Sequence, residues 1–122
     1  MQQNTWVQLM AMRGKDAQAI ILPYVFSVLG VFTFIIWGGE TADTGAVQLA
    51  IAARVVLGSL WTLLWSDGVL ADVGAGMQDM DNEVASSNMG QNFAKAPFAL
   101  FRGFNALVIV IMAVLQISAL YA

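Results

Sequence analysis

Arg54 sits eight positions into an apolar stretch that runs from Ala46 to Ser66. Its guanidinium offers five N–H donors, accepts nothing and stays charged. If the stretch crosses a bilayer, a rise of ~1.5 Å per residue puts Arg54 about 12 Å deep, where insertion costs at least ~2.5–3.5 kcal/mol. Such a group must snorkel to water, find a carboxylate or line a wet cavity. Polar residues reach similar depth on two other apolar stretches: Gln116 is about 9 Å and Thr33 about 7 Å from the same side, with Glu40 and Asp43 in the loop above. The expectation is a polar cluster in which Arg54 donates to Gln116 and to Glu40 or Asp43. The functional alternative makes Arg54 the selective charge of a small holin-like or anion-selective channel, which three short helices could wall only as an oligomer.

Carboxylates are the other candidates for chemistry. Five of the eight acids, Asp67, Asp72, Asp79, Asp81 and Glu83, fall in one segment. Asp79-Met80-Asp81-Asn82-Glu83 sets acids at positions 1, 3 and 5 of a calcium loop, but Val84 occupies the glycine position and Gly90 the bidentate glutamate position, so that loop is not formed. Asp67-Gly68-Val69-Leu70-Ala71 resembles the start of the CDP-alcohol phosphotransferase signature, whose aspartates hold a divalent metal. Asp72 stands where that signature has Arg, Leu64 where it has an upstream Asp, and 122 residues are too few for that many-helix family. No family is assigned on this match. With no Cys and no His there is no thiolate nucleophile, Fe–S cluster, axial haem imidazole or imidazole zinc site. A divalent-metal membrane enzyme built on Asp67, Asp72, Asp79 or Asp81 is therefore the weakest of three functional readings.

The elements that hold these groups follow from composition. At 59% hydrophobic and 11% charged, the chain has too few ionised groups to coat a water-exposed surface. Five basic residues make no patch for nucleic acid. A bilayer core about 30 Å thick takes ~20 apolar residues, and three stretches qualify. The fold class expected is an all-α integral membrane protein, one domain over 1–122. Its parts are an interfacial helix over 1–16, spans over 17–38 and 46–66, an acidic segment over 67–96 and a third span over 98–121. Trp6, Leu9, Met10 and Arg13 have helical spacing, which suits a short helix at the headgroups. The 23 uncharged residues from Ala17 to Gly39 exceed the ~7–15 of a secretory signal, so the first span is expected to be a retained anchor.

Arg13, Lys15, Lys95 and Arg102 flank one end of these spans while Gly38–Gly45 and the C-terminus carry no basic residue, which gives an N-in, C-out topology. Within 67–96, Val69, Val73, Met77, Met80 and Val84 recur at three- and four-residue steps beside Asp72, Asp79 and Glu83. That pattern is an amphipathic helix, either an extension of the second span or a new helix after a break at Gly74 and Gly76. Its acidic face is the surface expected to meet a partner. Ala85–Gly90 is expected to end it, and Pro97 to open the third span.

Gly30, with Ser27 and Thr33, and the series Ala46, Ala50, Gly58 give small-residue seams for close helix approach, and Asn105 shares a face with Gln116. Such seams and amides serve association, and no side-chain set pairs a nucleophile with a base. The leading functional expectation is a small non-catalytic subunit of a larger respiratory, photosynthetic or transport complex, or of a homomeric assembly, in a bacterial inner or equivalent energy-transducing membrane. Its partners would be membrane lipid and other membrane chains or copies of itself. No cofactor is indicated; a lipid, pigment or quinone held by backbone or amide groups is compatible with the sequence.

Overall fold

The computed structural model describes residues 2–122. A single helix, α1, runs over Gln3–Trp37. The division expected between an interfacial helix at 1–16 and a span at 17–38 is absent, because Gly14-Lys15-Asp16 contains no Pro and no turn that would end a hydrogen-bonded ladder already under way. Pro23, inside the helix, removes the N–H that would bond the Ala19 carbonyl, yet the ladder continues beyond it. At 35 residues α1 is about 52 Å long, some 20 Å more than the hydrocarbon core requires.

Gly39, at φ +57°, turns the chain where side chains other than glycine are strained, and a single 3₁₀ turn over Gly39–Asp43 follows. Helix α2 occupies Gly45–Gly76. The expected span over 46–66 is thus the first part of a helix about 48 Å long that continues through Gly74 and ends in a 3₁₀ turn at Met77–Asp79. Two short helices come next, α3 at Asn82–Ser86 and α4 at Asn88–Ala94. Asp81 caps the first by accepting from the Val84 N–H at 2.8 Å, and Ser87 caps the second by accepting from the Gly90 N–H at 3.0 Å. The run expected to end helical structure is therefore interrupted only at Ser87. Its Ser87, like Asp81 ahead of the run, is a helix starter rather than a loop former. Pro97 is the residue before α5, which spans Phe98–Leu120.

All regular structure among the described residues is helical, and α1, α2 and α5 are long and apolar enough to cross a membrane. The chain reads as an integral membrane protein. The path is up, down, up. Helix α2 lies at the centre, packed on α5 along one side and on α1 along another, while α1 and α5 meet less. Val55, Val69, Ile109 and Leu120 are buried between α2 and α5 together with Ser59, Ser66 and Gln116, and no described side chain is buried completely. In water so thin a core would not suffice. In lipid the outward apolar faces are solvated by acyl chains, and close packing with a few polar links is what remains to set helix register.

Candidate functional site

Helices α1 and α2 run antiparallel, so residues rising along one meet residues falling along the other. Trp6 Nε1 donates to the Gly76 carbonyl at 2.7 Å, Arg13 pairs with Asp72, and Arg54 Nη2 donates to Ser27 Oγ at 2.6 Å. The first two links lie beyond the apolar part of both helices and tie their projecting ends together. Trp6 thereby meets a backbone carbonyl, not only the headgroup level expected of it. Arg13 also bonds Asp16, one turn along its own helix, at 2.8 Å.

A methyl carbon placed on Gly58 would fall 1.6 Å from Arg54 Nη1. The Arg54 side chain therefore runs along its own helix, one turn toward the end of the molecule that carries Trp65, and lies on the bare backbone of Gly58. This direction is opposite to the expected one. Glu40 and Asp43, exposed in the 3₁₀ turn at the other end, do not reach it, and no carboxylate pairs with Arg54 among the described residues. Gln116 is equally remote in role. Only 3% exposed on the α5 face turned to α2, it donates to the Met112 carbonyl one turn back at 3.0 Å. Arg54 faces α1 and Gln116 belongs to the α2–α5 seam, on different sides of the central helix, so the expected Arg54–Gln116–Glu40/Asp43 cluster does not form.

Arg54 instead closes one end of a groove of about 360 Å³ between α1 and α2. Pro23 and Tyr24 form the α1 wall; Gly58, Trp61, Thr62 and Trp65 form the α2 wall. Trp61 and Trp65, one turn apart, have ring centroids 6.3 Å apart at a 46° tilt. The Tyr24 hydroxyl is sealed from its surroundings and has no hydrogen-bond partner among the described residues. The groove thus gathers two donors, a guanidinium with one bond made and a threonine hydroxyl. Two exposed indoles line its outer side.

Three polar links join α5 to α2. Arg102 clasps Asp67 with Nε and Nη2 on the two carboxylate oxygens, both at 2.8 Å, and Asn105 donates to Ser66 Oγ at 2.9 Å. At the opposite end Gln48 Nε2 donates to the Leu120 carbonyl at 3.3 Å. Ser66, Gln48 and the pairing of Arg102 with Asp67 are interhelical links that sequence reasoning passed over. The available signal was positional: Asp67 ends the second apolar stretch where Arg102 begins the third, so antiparallel helices must bring them level.

Of the small residues, Gly30 has open space where a side chain would be, and Thr33, Ala46 and Ala50 are exposed. Asp79 and Glu83 are exposed, Asp79 on a groove beside Trp6 and Glu83 in the first turn of α3. Asp67 and Asp72 are held by arginines and Asp81 caps a helix, and no three acids among the described residues gather as metal ligands. The arrangement can bind and associate. It sets out no nucleophile with its base. Compared with known family models, curated proteins and solved structures, the chain matches none of them.

Proposed function

We propose that the chain is a non-catalytic membrane subunit that works by packing against other membrane helices, in a larger complex or with copies of itself. One observation carries this reading: apart from Ser27 and Gly58, which meet Arg54, the small-residue seams do not close on the chain's own helices. Gly30 and Thr33 on α1, and Ala46 and Ala50 on α2, face outward, where a smooth apolar surface would serve lipid as well and small residues serve a neighbouring backbone better. The basic residues at the Trp6 end of the bundle favour an N-in, C-out orientation in an inner or cytoplasmic-type membrane. On that orientation the exposed Asp79 and Glu83 offer a cytoplasmic partner an acidic surface.

Native mass spectrometry of the protein released in mild detergent tests the proposal. The expected result is a fixed stoichiometry, with itself or with other membrane chains, that Gly30→Leu together with Ala50→Leu disrupts while far-ultraviolet circular dichroism stays unchanged. A monomer free of other chains, or an assembly indifferent to both leucines, would overturn it.

A further inference from the structure

A guanidinium between lipid-facing helices has few ways to be satisfied, and the geometry here removes most of them. Its direction along α2 takes it away from the nearer loop, Ser27 uses one of its five N–H groups, and no carboxylate of this chain pairs with it among the described residues. Hydrocarbon cannot supply the rest. What lies in front of it is a groove with a threonine hydroxyl and two indole rings, reaching about seven residues, or ~10 Å, from Gly58 to Trp65. Among the described lining residues no charged acceptor answers these donors. A group that satisfied Arg54 would have to bring negative charge and oxygen acceptors, while the remainder of the groove suits an apolar body.

We propose that the groove between α1 and α2 is a binding site for an anionic single-chain amphiphile, whose carboxylate or phosphate accepts from Arg54 while its acyl chain lies along Trp61 and Trp65. A neighbouring helix, ~10–12 Å across, is too wide to enter a cleft between two packed helices. It could send in one carboxylate on a short stalk, leaving most of the 360 Å³ unfilled. An acyl chain fills that volume and enters from the lipid. Gly58 has a part in the site: without a side chain it gives the guanidinium its seat.

The four tryptophans make a direct assay possible. With Trp6→Phe and Trp37→Phe in place, the fluorescence that remains comes from Trp61 and Trp65, and quenching by a brominated fatty acid in non-ionic detergent micelles reads occupancy. The arms are the brominated fatty acid, its methyl ester and a brominated lysophosphatidate, which separate a carboxylate ligand from a phosphate one. Saturable quenching is expected from at least one anion and not from the ester. Arg54→Gln should raise the half-saturating mole fraction about tenfold or more, the loss of a charge-assisted bond. Gly58→Ala keeps the charge but removes the seat, and should raise it about threefold or more. Helicity by circular dichroism checks the fold. If Arg54→Gln does not fold, Gly58→Ala decides. Equal quenching by ester and acid, or parental binding in the altered proteins, would overturn the proposal. So would a result in which neither anion binds and Arg54→Gln instead releases a co-purifying membrane chain, because Arg54 would then answer a partner's carboxylate.

Discussion

Replacing Asn105 tests whether polar links set the register of this bundle. Asn105 Nδ2 donates to Ser66 Oγ at 2.9 Å across the α2–α5 seam, and the Ser66 hydroxyl, in a residue only 8% exposed, donates in turn to the Leu63 carbonyl at 3.3 Å. Removing the amide leaves the serine donor satisfied and only an acceptor lone pair empty, so the full penalty of an orphaned group is not incurred. Interhelical side-chain bonds in membranes average ~0.6 kcal/mol with a maximum near ~1.7 kcal/mol. With one direct bond on a largely buried serine, a coupling of about 1 kcal/mol is expected, roughly fivefold in the folding constant. Asn105→Ala alone also loses packing, so the measurement is a cycle of Asn105→Ala, Ser66→Ala and the double variant. Unfolding is followed by circular dichroism in mixed micelles as the fraction of dodecyl sulfate rises. A coupling under ~0.3 kcal/mol, the scatter between independent sites, would refute the reasoning.

Two further outcomes follow from named contacts. A β-carbon on Gly90 would lie 1.8 Å from the Val84 carbonyl oxygen, which is backbone and cannot swing aside; Gly90→Ala should open the α3–α4 corner, with amide exchange over 82–94 about tenfold faster and that of α2 unchanged. Arg102→Asp should weaken the α2–α5 seam by facing Asp67 with a like charge, and Asp67→Arg added to it should recover part of the loss in the same unfolding titration. Failure of the exchanged pair to recover anything would deny the link a role.

The spans were legible because hydropathy and chain length alone decide whether a helix can cross hydrocarbon, and neither depends on neighbours. Helix ends were less so. Nothing in residues 14–16 stops a helix, yet the spacing of Trp6, Leu9, Met10 and Arg13 ahead of the uncharged run suggested a separate element; the contact that holds this part of α1, from Trp6 to the Gly76 carbonyl, comes from 70 positions away. The caps Asp81 and Ser87 were readable in kind, but one was weighed as a metal ligand and the other as a breaker. At the site, Arg54 stood out from the sequence because charge in an apolar stretch is costly wherever it points. Its direction was not legible: depth along a helix says how far a guanidinium is from each end, and only the empty surface of Gly58 decides which way it lies. Gln116 failed as its partner for a related reason, since equal depth on two helices does not bring side chains together unless their faces also meet.

The distribution of links explains why a groove exists where it does. Helices α2 and α5 are tied near both ends, by Gln48 to Leu120 and by Ser66 and Asp67 to Asn105 and Arg102, with Val55 and Ile109 buried between. Helices α1 and α2 are tied beyond the apolar region, by Trp6 and Arg13, and within it by Arg54 to Ser27. Between those two levels the facing residues include Pro23, whose ring replaces a backbone donor, and the half-buried Tyr24, whose ring is too large to let the backbones close; Trp61 and Trp65, more than half exposed, line the outer side of the groove. The cleft is therefore the consequence of bulky α1 residues held between two fixed points. Trimming Tyr24 to alanine should let α1 and α2 approach and shrink the groove, whereas trimming an outward residue such as Leu57 should leave it unchanged. A spin label on each helix would register the first change as a shortened distance, and equal distances in both variants would mean that the Tyr24 ring does not hold the helices apart.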